Sequence, residues 1–324
     1  MTPAATFVIF GGTGFIGRAL NTRLRARFGP STQIILADLR DPNFDLAGSK
    51  FVQIDVRKPI DQLLDLKPDW IFNFAAIHRE PGHHPAEYYE TNTLGAKHVC
   101  AYAETVKCEN ILFTSSIAVY GHSPTGVTEN SATVPATPYG GSKLLAELMH
   151  EKWQCKNSTR RLITMRPGVI YGPGDPGNIL RMLKAIRRGI FVIPGNPDVK
   201  KSYGYIDELL DAFEFLMARP ESVTKANFCH PNPETISELA IVMARYLGKR
   251  EWFPVVPLAP VILLSHLVQW ATLGKSPIHP VRVRKVQFPT HVEPQTLKDL
   301  SFTFKFPMKQ SLDHWKSISP HDFD

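Results

Sequence analysis

Phe7-Val8-Ile9-Phe10-Gly11-Gly12-Thr13-Gly14-Phe15-Ile16-Gly17 is the stretch that decides the fold. Four apolar residues, a run of strand length, lead into glycines at 11, 14 and 17. Gly12, Gly14 and Gly17 also satisfy G-x-G-x-x-G. Each small residue answers a physical need: a tight strand-to-helix turn, backbone approach to a pyrophosphate, and close packing of helix on strand. The helix that opens at Phe15 and Ile16 would offer free N–H groups and the positive end of its dipole to phosphates. The stretch therefore predicts the first βα unit of a dinucleotide-binding sheet.

The pattern repeats outward from there. Ile34–Ala37, Phe51–Ile54, Trp70–Phe74, Ile111–Thr114 and Leu162–Arg166 are short, nearly continuous apolar runs, as expected of strands covered on both faces. Helical periodicity fills the gaps at Phe15–Arg27, Ile60–Leu66, Ala86–Val106 and Ser142–Trp153. This rhythm predicts an α/β chain, a Rossmann-type doubly wound parallel sheet. Past Arg166, prolines and glycines crowd the chain: Pro167, Gly168, Gly172, Pro173, Gly174, Pro176 and Gly177. Residues 1–170 read as the NAD-binding domain. Residues 171–324 read as a smaller mixed α/β substrate-binding region, with a helix near 206–217 returning to the main sheet.

Composition agrees with a globular chain. The 324 residues are 43% hydrophobic and 21% charged, enough for a large core and too apolar for disorder. The net charge of +7 is scattered. That suits a small anionic ligand better than nucleic acid. Cys100, Cys108, Cys155 and Cys229 form no CxxC pair and read as reduced thiols of a cytoplasmic protein. The start, Met-Thr-Pro-Ala-Ala-Thr, lacks the basic opening and cleavage site of a secretory signal. The apolar stretch Leu258–Leu273 carries Ser265, His266 and Gln269. It is short and polar for a membrane span and reads as a buried or surface helix.

Three further positions complete a cofactor site. Asp38 closes the second strand, where a carboxylate can accept from the adenosine ribose hydroxyls and repel a 2′-phosphate. That favours NAD, although Arg40 could bind such a phosphate. Asp55, followed by Val56, ends the third strand and could accept from the adenine amino group, or serve as a helix cap. Tyr139-Gly140-Gly141-Ser142-Lys143 is a Y-x-x-x-K at a helix start, placing phenol and ammonium one turn apart on one face. The ammonium is expected to lower the phenol's pKa toward that of a working general base. Thr114-Ser115-Ser116 ends a strand, where open α/β sheets bind ligands.

These motifs together resemble the extended short-chain dehydrogenase/reductase family, in its NAD-dependent nucleotide-sugar epimerase/dehydratase group. The likeness runs from Phe7 to about Trp315 through GGTGFIG (11–17), DV (55–56), FAA (74–76), TNTLG (91–95), TSSIAVYG (114–121), YGGSK (139–143) and RPGVIYGPGD (166–175). The resemblance implies Ser116, Tyr139 and Lys143 as the catalytic trio, with Tyr139 and Lys143 also touching the cofactor. Ala75 and Ala76 would line the cofactor groove and Asn92 would support the site. It further implies substrate contacts at Asn178 and at Lys201 in KKSYGYID (200–207); Ser116 could orient a substrate oxygen, and Arg282, with Arg284 beside it, adds positive charge that would suit a diphosphate. A homodimer through the helices Ala86–Val106 and Ser142–Trp153 is expected as well.

Departures narrow the chemistry. Ile117 and Ala118 stand where sugar dehydratases carry an acidic pair, which disfavours dehydration. Arg166-Pro167-Gly168 replaces the Asn-containing form of many epimerases and looks like hydroxysteroid dehydrogenases and keto-sugar reductases. His78, His83 and His84 fit no zinc spacing, and no metal is expected. The leading expectation is an NAD-dependent nucleotide-sugar epimerase or keto-sugar reductase. The alternatives are a hydroxysteroid-type or small-carbonyl dehydrogenase, and a catalytically silent dinucleotide-sensing protein.

Overall fold

In a computed structural model, which describes residues 5–175, 177–273 and 279–324, seven parallel strands form one sheet. Their order across it is Val223–Phe228, Arg161–Pro167, Asn110–Thr114, Trp70–Asn73, Thr6–Phe10, Gln33–Asp38 and Lys50–Gln53. Because side chains alternate along a strand, each contributes to two cores. Phe7 and Ile9 join Ile34, Leu36, Phe72 and Ile163 on one face. Val8 and Phe10 join Ile35, Ile71, Ile111 and Leu162 on the other. All are almost fully buried, which is why the strands read as continuous apolar runs.

The chain passes from Thr6–Phe10 outward to the two strands on one side, then returns to lay Trp70–Asn73 on the other. The reversal opens a crevice at the carboxyl ends of these two central strands. Gly11 lies there against the backbone of Phe74 and Ala75.

The second half of the chain does not stay apart from this sheet. Val223–Phe228 forms its edge strand. The helix Ile206–Met217 packs beside the helix Phe15–Phe28, where Arg23 meets Asp207 at 3.1 Å and Asp211 at 2.6 Å. Three two-stranded pairs complete the C-terminal side: Val169–Tyr171 with Tyr203–Tyr205, Ile193–Pro194 with Val255–Val256, and Ser123–Val127 with Thr290–Val292.

Two helical expectations change. Residues 60–66 form no helix. The seven residues lie between Pro59 and Pro68, too few to offset nucleation, and Leu63 takes φ 61° while its carbonyl accepts from the Tyr102 hydroxyl at 3.1 Å. Ala86–Val106 is not one regular helix. A short helix, Pro85–Tyr88, passes into a π-helical turn, Tyr89–Leu94, and then into Gly95–Thr105. The irregular turn holds Asn92.

Candidate active site

The glycine turn is built for close approach. Gly11 takes φ 75° and its amide donates to the Ala37 carbonyl at 2.8 Å. A Cβ at Gly17 would stand 2.4 Å from the Gly11 carbonyl oxygen and 2.8 Å from the Gly12 Cα, so the helix can lie on the turn only with glycine there. Gly14 differs: a Cβ there would meet nothing nearer than the Gly11 oxygen at 3.2 Å. Gly14 also caps the helix Phe15–Phe28 without a side-chain hydrogen bond. The first amides of that helix, at Phe15, Ile16 and Gly17, therefore have no side-chain acceptor supplied by the cap. A small-residue cradle before a helix start free of first-turn carboxylates fits a pyrophosphate.

Asp38 borders this cradle. One carboxylate oxygen accepts from the Thr13 amide at 3.1 Å and the other from the Arg40 amide at 3.2 Å. These bonds fix the carboxylate at the strand end, beside the turn. Asp55 is held differently. Arg57 grips it through Nε–Oδ1 at 2.8 Å and Nη2–Oδ2 at 2.7 Å, and the carboxyl lies below the usual carboxylate range through that hydrogen bond. Val56 packs its side chain against Gly95. A surface hollow lined by Leu39, Asp55, Lys58 and Ile60 opens beside this edge. Ala75 touches Gly11 through its backbone, and Ala76 follows, partly buried.

Tyr139 and Lys143 sit on the helix Pro138–Gln154, which Thr137 caps by accepting from the Gly140 amide at 3.2 Å. Gly140 leaves room for the Ala118 carbonyl, which a Cβ would strike at 2.4 Å. That approach carries the turn after Ser116 up to the helix start. Ser116 itself accepts from the Ala118 amide at 3.1 Å, and its hydroxyl lies near enough to the Tyr139 phenol to lower its pKa. Three residues from two distant segments thus converge.

The electrostatics depart from the sequence expectation. Burial pushes the Tyr139 phenol up to about 12, opposed by the Ser116 hydrogen bond and reinforced by the Glu80 carboxylate. Burial pulls the Lys143 ammonium down to about 7, opposed by Glu147. Lys143 is 2% exposed and its Nζ lies 4.6 Å above the Phe113 ring. In this state desolvation governs both groups.

Asn92 explains the π-helical turn. Its amide group bridges the Ile77 backbone in both directions, at 2.9 and 3.0 Å, and donates to Ser142 Oγ at 2.9 Å. Thr93 adds a bond to the Ser142 carbonyl at 3.0 Å. The turn is thereby stapled to the helix between Tyr139 and Lys143. Such turns recur at functional sites.

Sequence reasoning missed what lies behind this helix. Glu147, one turn after Lys143, is 1% exposed and forms a fork with Arg166, Nε–Oε1 2.8 Å and Nη2–Oε2 2.6 Å. Arg166 also donates to the Tyr120 hydroxyl at 2.7 Å, which donates to Asn227 Oδ1 at 2.8 Å. The only signal available was a glutamate four residues past Lys143 and an arginine at a strand end. Neither shows its partner.

The substrate-side residues do not all converge. Asn178 begins the helix Asn178–Arg187 and accepts from Arg181 at 3.0 Å. Lys201 donates to the carbonyl oxygens of Lys285, at 3.0 Å, and Phe288. Arg282 lies on the helix Pro280–Val286 that Lys201 thus caps. Lys285, on the same helix, pairs with Glu80, joining this helix to the segment beside Tyr139. Ile117 is buried and Ala118 abuts Gly140, so neither offers a proton-transfer group. His83 pairs with Glu87 at 3.0 Å and His84 caps the helix Pro85–Tyr88.

Comparison with known proteins fits this geometry. The model of a family described as the NAD dependent epimerase/dehydratase family matches residues 7–229. Over 320 residues the chain is 29% identical to N-acetyl-alpha-D-glucosaminyl-diphospho-ditrans,octacis-undecaprenol 4-epimerase of Escherichia coli O157:H7, covering 94% of this chain and 92% of that protein. It is 29% identical to dTDP-4-dehydro-6-deoxyglucose reductase of Escherichia coli over 224 residues, 64% of this chain and 70% of the relative. The solved structure of MoeE5 in complex with UDP-glucose and NAD superposes with a TM-score of 0.76 at 19% identity, covering 99% of this chain and 100% of that one, a likeness of fold.

Proposed function

The chain belongs to the NAD dependent epimerase/dehydratase family, and from that premise we propose that it is an NAD-dependent epimerase or keto-sugar reductase acting on a nucleotide-linked sugar. The observation that carries this is the approach of Ser116, on the turn that Gly140 admits to the helix start, to Tyr139, with Lys143 buried one helical turn away. NAD, when bound, supplies reversible oxidation at a sugar carbinol carbon.

Every other step belongs to the chain. Gly11, Gly14 and Gly17, with the amides of Phe15 and Ile16, hold the pyrophosphate. Asp38 takes the adenosine ribose, Asp55 and Val56 border the adenine, and Ala75 and Ala76 wall the groove. Asn92 fixes the helix that carries Tyr139 and Lys143. Ser116 orients the sugar oxygen and Tyr139 takes or returns its proton. Lys143 holds the nicotinamide ribose, and its ammonium then assists the phenol. Asn178 and Arg282 are the proposed diphosphate contacts, and Lys201 fixes the turn after the helix that carries Arg282. The absence of a carboxylate at Ile117 and Ala118 supports chemistry that ends at the carbinol rather than at dehydration.

A second reading concerns the carrier. The relative covered over most of its length acts, by its name, on a sugar held by a lipid diphosphate. A diphosphate with a polyprenyl tail offers the same charge as a nucleotide diphosphate with a different anchor.

The exposed Leu145 and Leu148 on the Pro138–Gln154 helix, with Tyr89 and Leu94 on the neighbouring segment, support a homodimer through this face. Cys100, Cys108 and Cys229 are buried and unpaired, which supports a cytoplasmic site of action.

The test incubates the purified protein with UDP-sugars and with a polyprenyl-diphospho sugar, following the products by NMR without added cofactor. Epimer formation supports the first activity. Oxidation of added NADH by a 4-keto-sugar supports the second. A thermal shift with a sterol and none with UDP or dTDP would sink both in favour of a hydroxysteroid-type enzyme.

A further inference from the structure

The helix Leu258–Ala271 half-buries one face and leaves the other in solvent, yet both faces are largely apolar. Only Ser265 is fully buried. Leu263, Leu264, Leu267 and Trp270 are exposed at 63%, 60%, 56% and 81%, and Leu273, just beyond, at 85%. Their spacing of i, i+1, i+4 and i+7 is that of a stripe meant for burial, here directed outward. An apolar patch of this kind marks an interface.

The surrounding charge narrows the occupant. From Lys249 to Thr290 the sequence carries six basic residues, Lys249, Arg250, Lys275, Arg282, Arg284 and Lys285, against one acidic residue, Glu251. The neighbouring helix Pro280–Val286, which packs on Leu258–Ala271, carries three of them, of which Lys285 is paired with Glu80. Trp252, 61% exposed, stands beneath the Arg250 guanidinium at 4.8 Å. Exposed leucines and tryptophan beside a basic rim match the headgroup level of an anionic bilayer. The helix has 14 residues, about 21 Å, and among the described residues no helix is long and apolar enough to cross a membrane. It would lie in the plane.

We propose that Leu258–Ala271 is an interfacial anchor that seats its Leu263, Leu264, Leu267 and Trp270 face in the surface of an anionic lipid bilayer. The anchor's neighbour is tied to the segment beside Tyr139 through the Lys285–Glu80 pair. The proposal does not depend on which sugar is turned over.

The full chain, loaded with NAD, is sedimented with vesicles of phosphatidylcholine alone or with one-quarter phosphatidylglycerol. Binding to the anionic vesicles is expected, weakened by salt, and at least roughly tenfold weaker for L264D/L267D. Spin-labelled lipid should quench the tryptophan emission, and Trp270→Phe should remove most of that quenching. Unchanged melting temperature and NAD affinity certify each variant as folded. Protein that stays in the supernatant with both vesicles overturns the proposal. So does a dimer that L264D/L267D dissociates without vesicle binding, since the patch would then join two copies. The comparison of the two vesicles decides the matter with unmodified protein, even if a variant misfolds.

Discussion

Arg166 meets Glu147 in a buried fork whose two nitrogen–oxygen distances are 2.8 and 2.6 Å, directly behind the helix turn that carries Lys143. Two ions taken from water this completely hold each other in place, and each is costly alone. Arg166→Met should lower unfolding free energy by about 3 kcal/mol, because it leaves the buried Glu147 carboxylate without its fork, with only Lys225 at 3.7 Å. The double variant E147L/R166M should lose much less. Urea melts of the three proteins test this. Additive losses would show that the pair is not coupled.

Gly14 and Gly17 should separate binding from folding. Gly17→Ala drives a methyl into the Gly11 and Gly12 backbone and should cost about 1–3 kcal/mol or more of stability. Gly14→Ala sets its methyl 3.2 Å from the Gly11 carbonyl oxygen, a tight contact but far looser than that at Gly17, and should cost clearly less stability than Gly17→Ala. Its NAD affinity should nonetheless fall at least roughly tenfold, since the methyl occupies the space left for the pyrophosphate. Calorimetric titration beside thermal melts distinguishes the two. A Gly14→Ala protein that binds NAD normally would move the phosphate elsewhere.

Tyr139→Phe removes one oxygen and should reduce turnover by roughly 10²–10⁴-fold while sparing NAD affinity. Ser116→Ala should also slow turnover, and the phenol, relieved of its partner, should titrate higher. In the oxidation direction, where the phenolate is the base, the rising limb of the pH–rate profile should therefore move to higher pH. Unchanged activity in Tyr139→Phe would remove the tyrosine from its assigned role.

Lys143 gives a stability signature in the cofactor-free protein. Its folded pKa of about 7 lies below the ordinary 10.5. Below pH 7 the fold carries the full cost of a buried ammonium. Between pH 7 and 10.5 the unfolded chain binds the extra proton, so this cost fades as pH rises. Lys143→Met should therefore exceed the parent in stability most at pH 6. The gap should close by about 1.4 kcal/mol per pH unit above pH 7. A gap that stays constant with pH contradicts the burial argument.

Asp38 should set cofactor choice. Replacing it by alanine removes a charge-assisted acceptor worth about 1.5–3 kcal/mol. NAD affinity should drop roughly tenfold to a hundredfold, and the NADP to NAD preference should rise as Arg40 loses a neighbouring negative charge. Dissociation constants for both dinucleotides provide the measurement. An unaltered preference would assign the ribose to another residue.

What could be read from sequence was short in range. The glycine spacing, the phenol and ammonium one turn apart, and the doubly apolar strands are each written within a few residues. Backbone geometry turns such spacing directly into shape. The helix expected at 60–66 failed because local periodicity carries no information about the prolines' combined brevity or about Tyr102 reaching Leu63.

The sequence by itself determined that a parallel sheet would present a glycine turn and a Tyr139–Lys143 face. Only the tertiary structure decided that Asn92 would pin Ser142 across 50 positions, that Arg166 would pair with Glu147, and that the Lys201 ammonium would cap a helix 84 residues away. A polar side chain carries no address for its partner. Packing of the sheet and its helices selects that partner, because a buried donor or charge must find one once water is excluded.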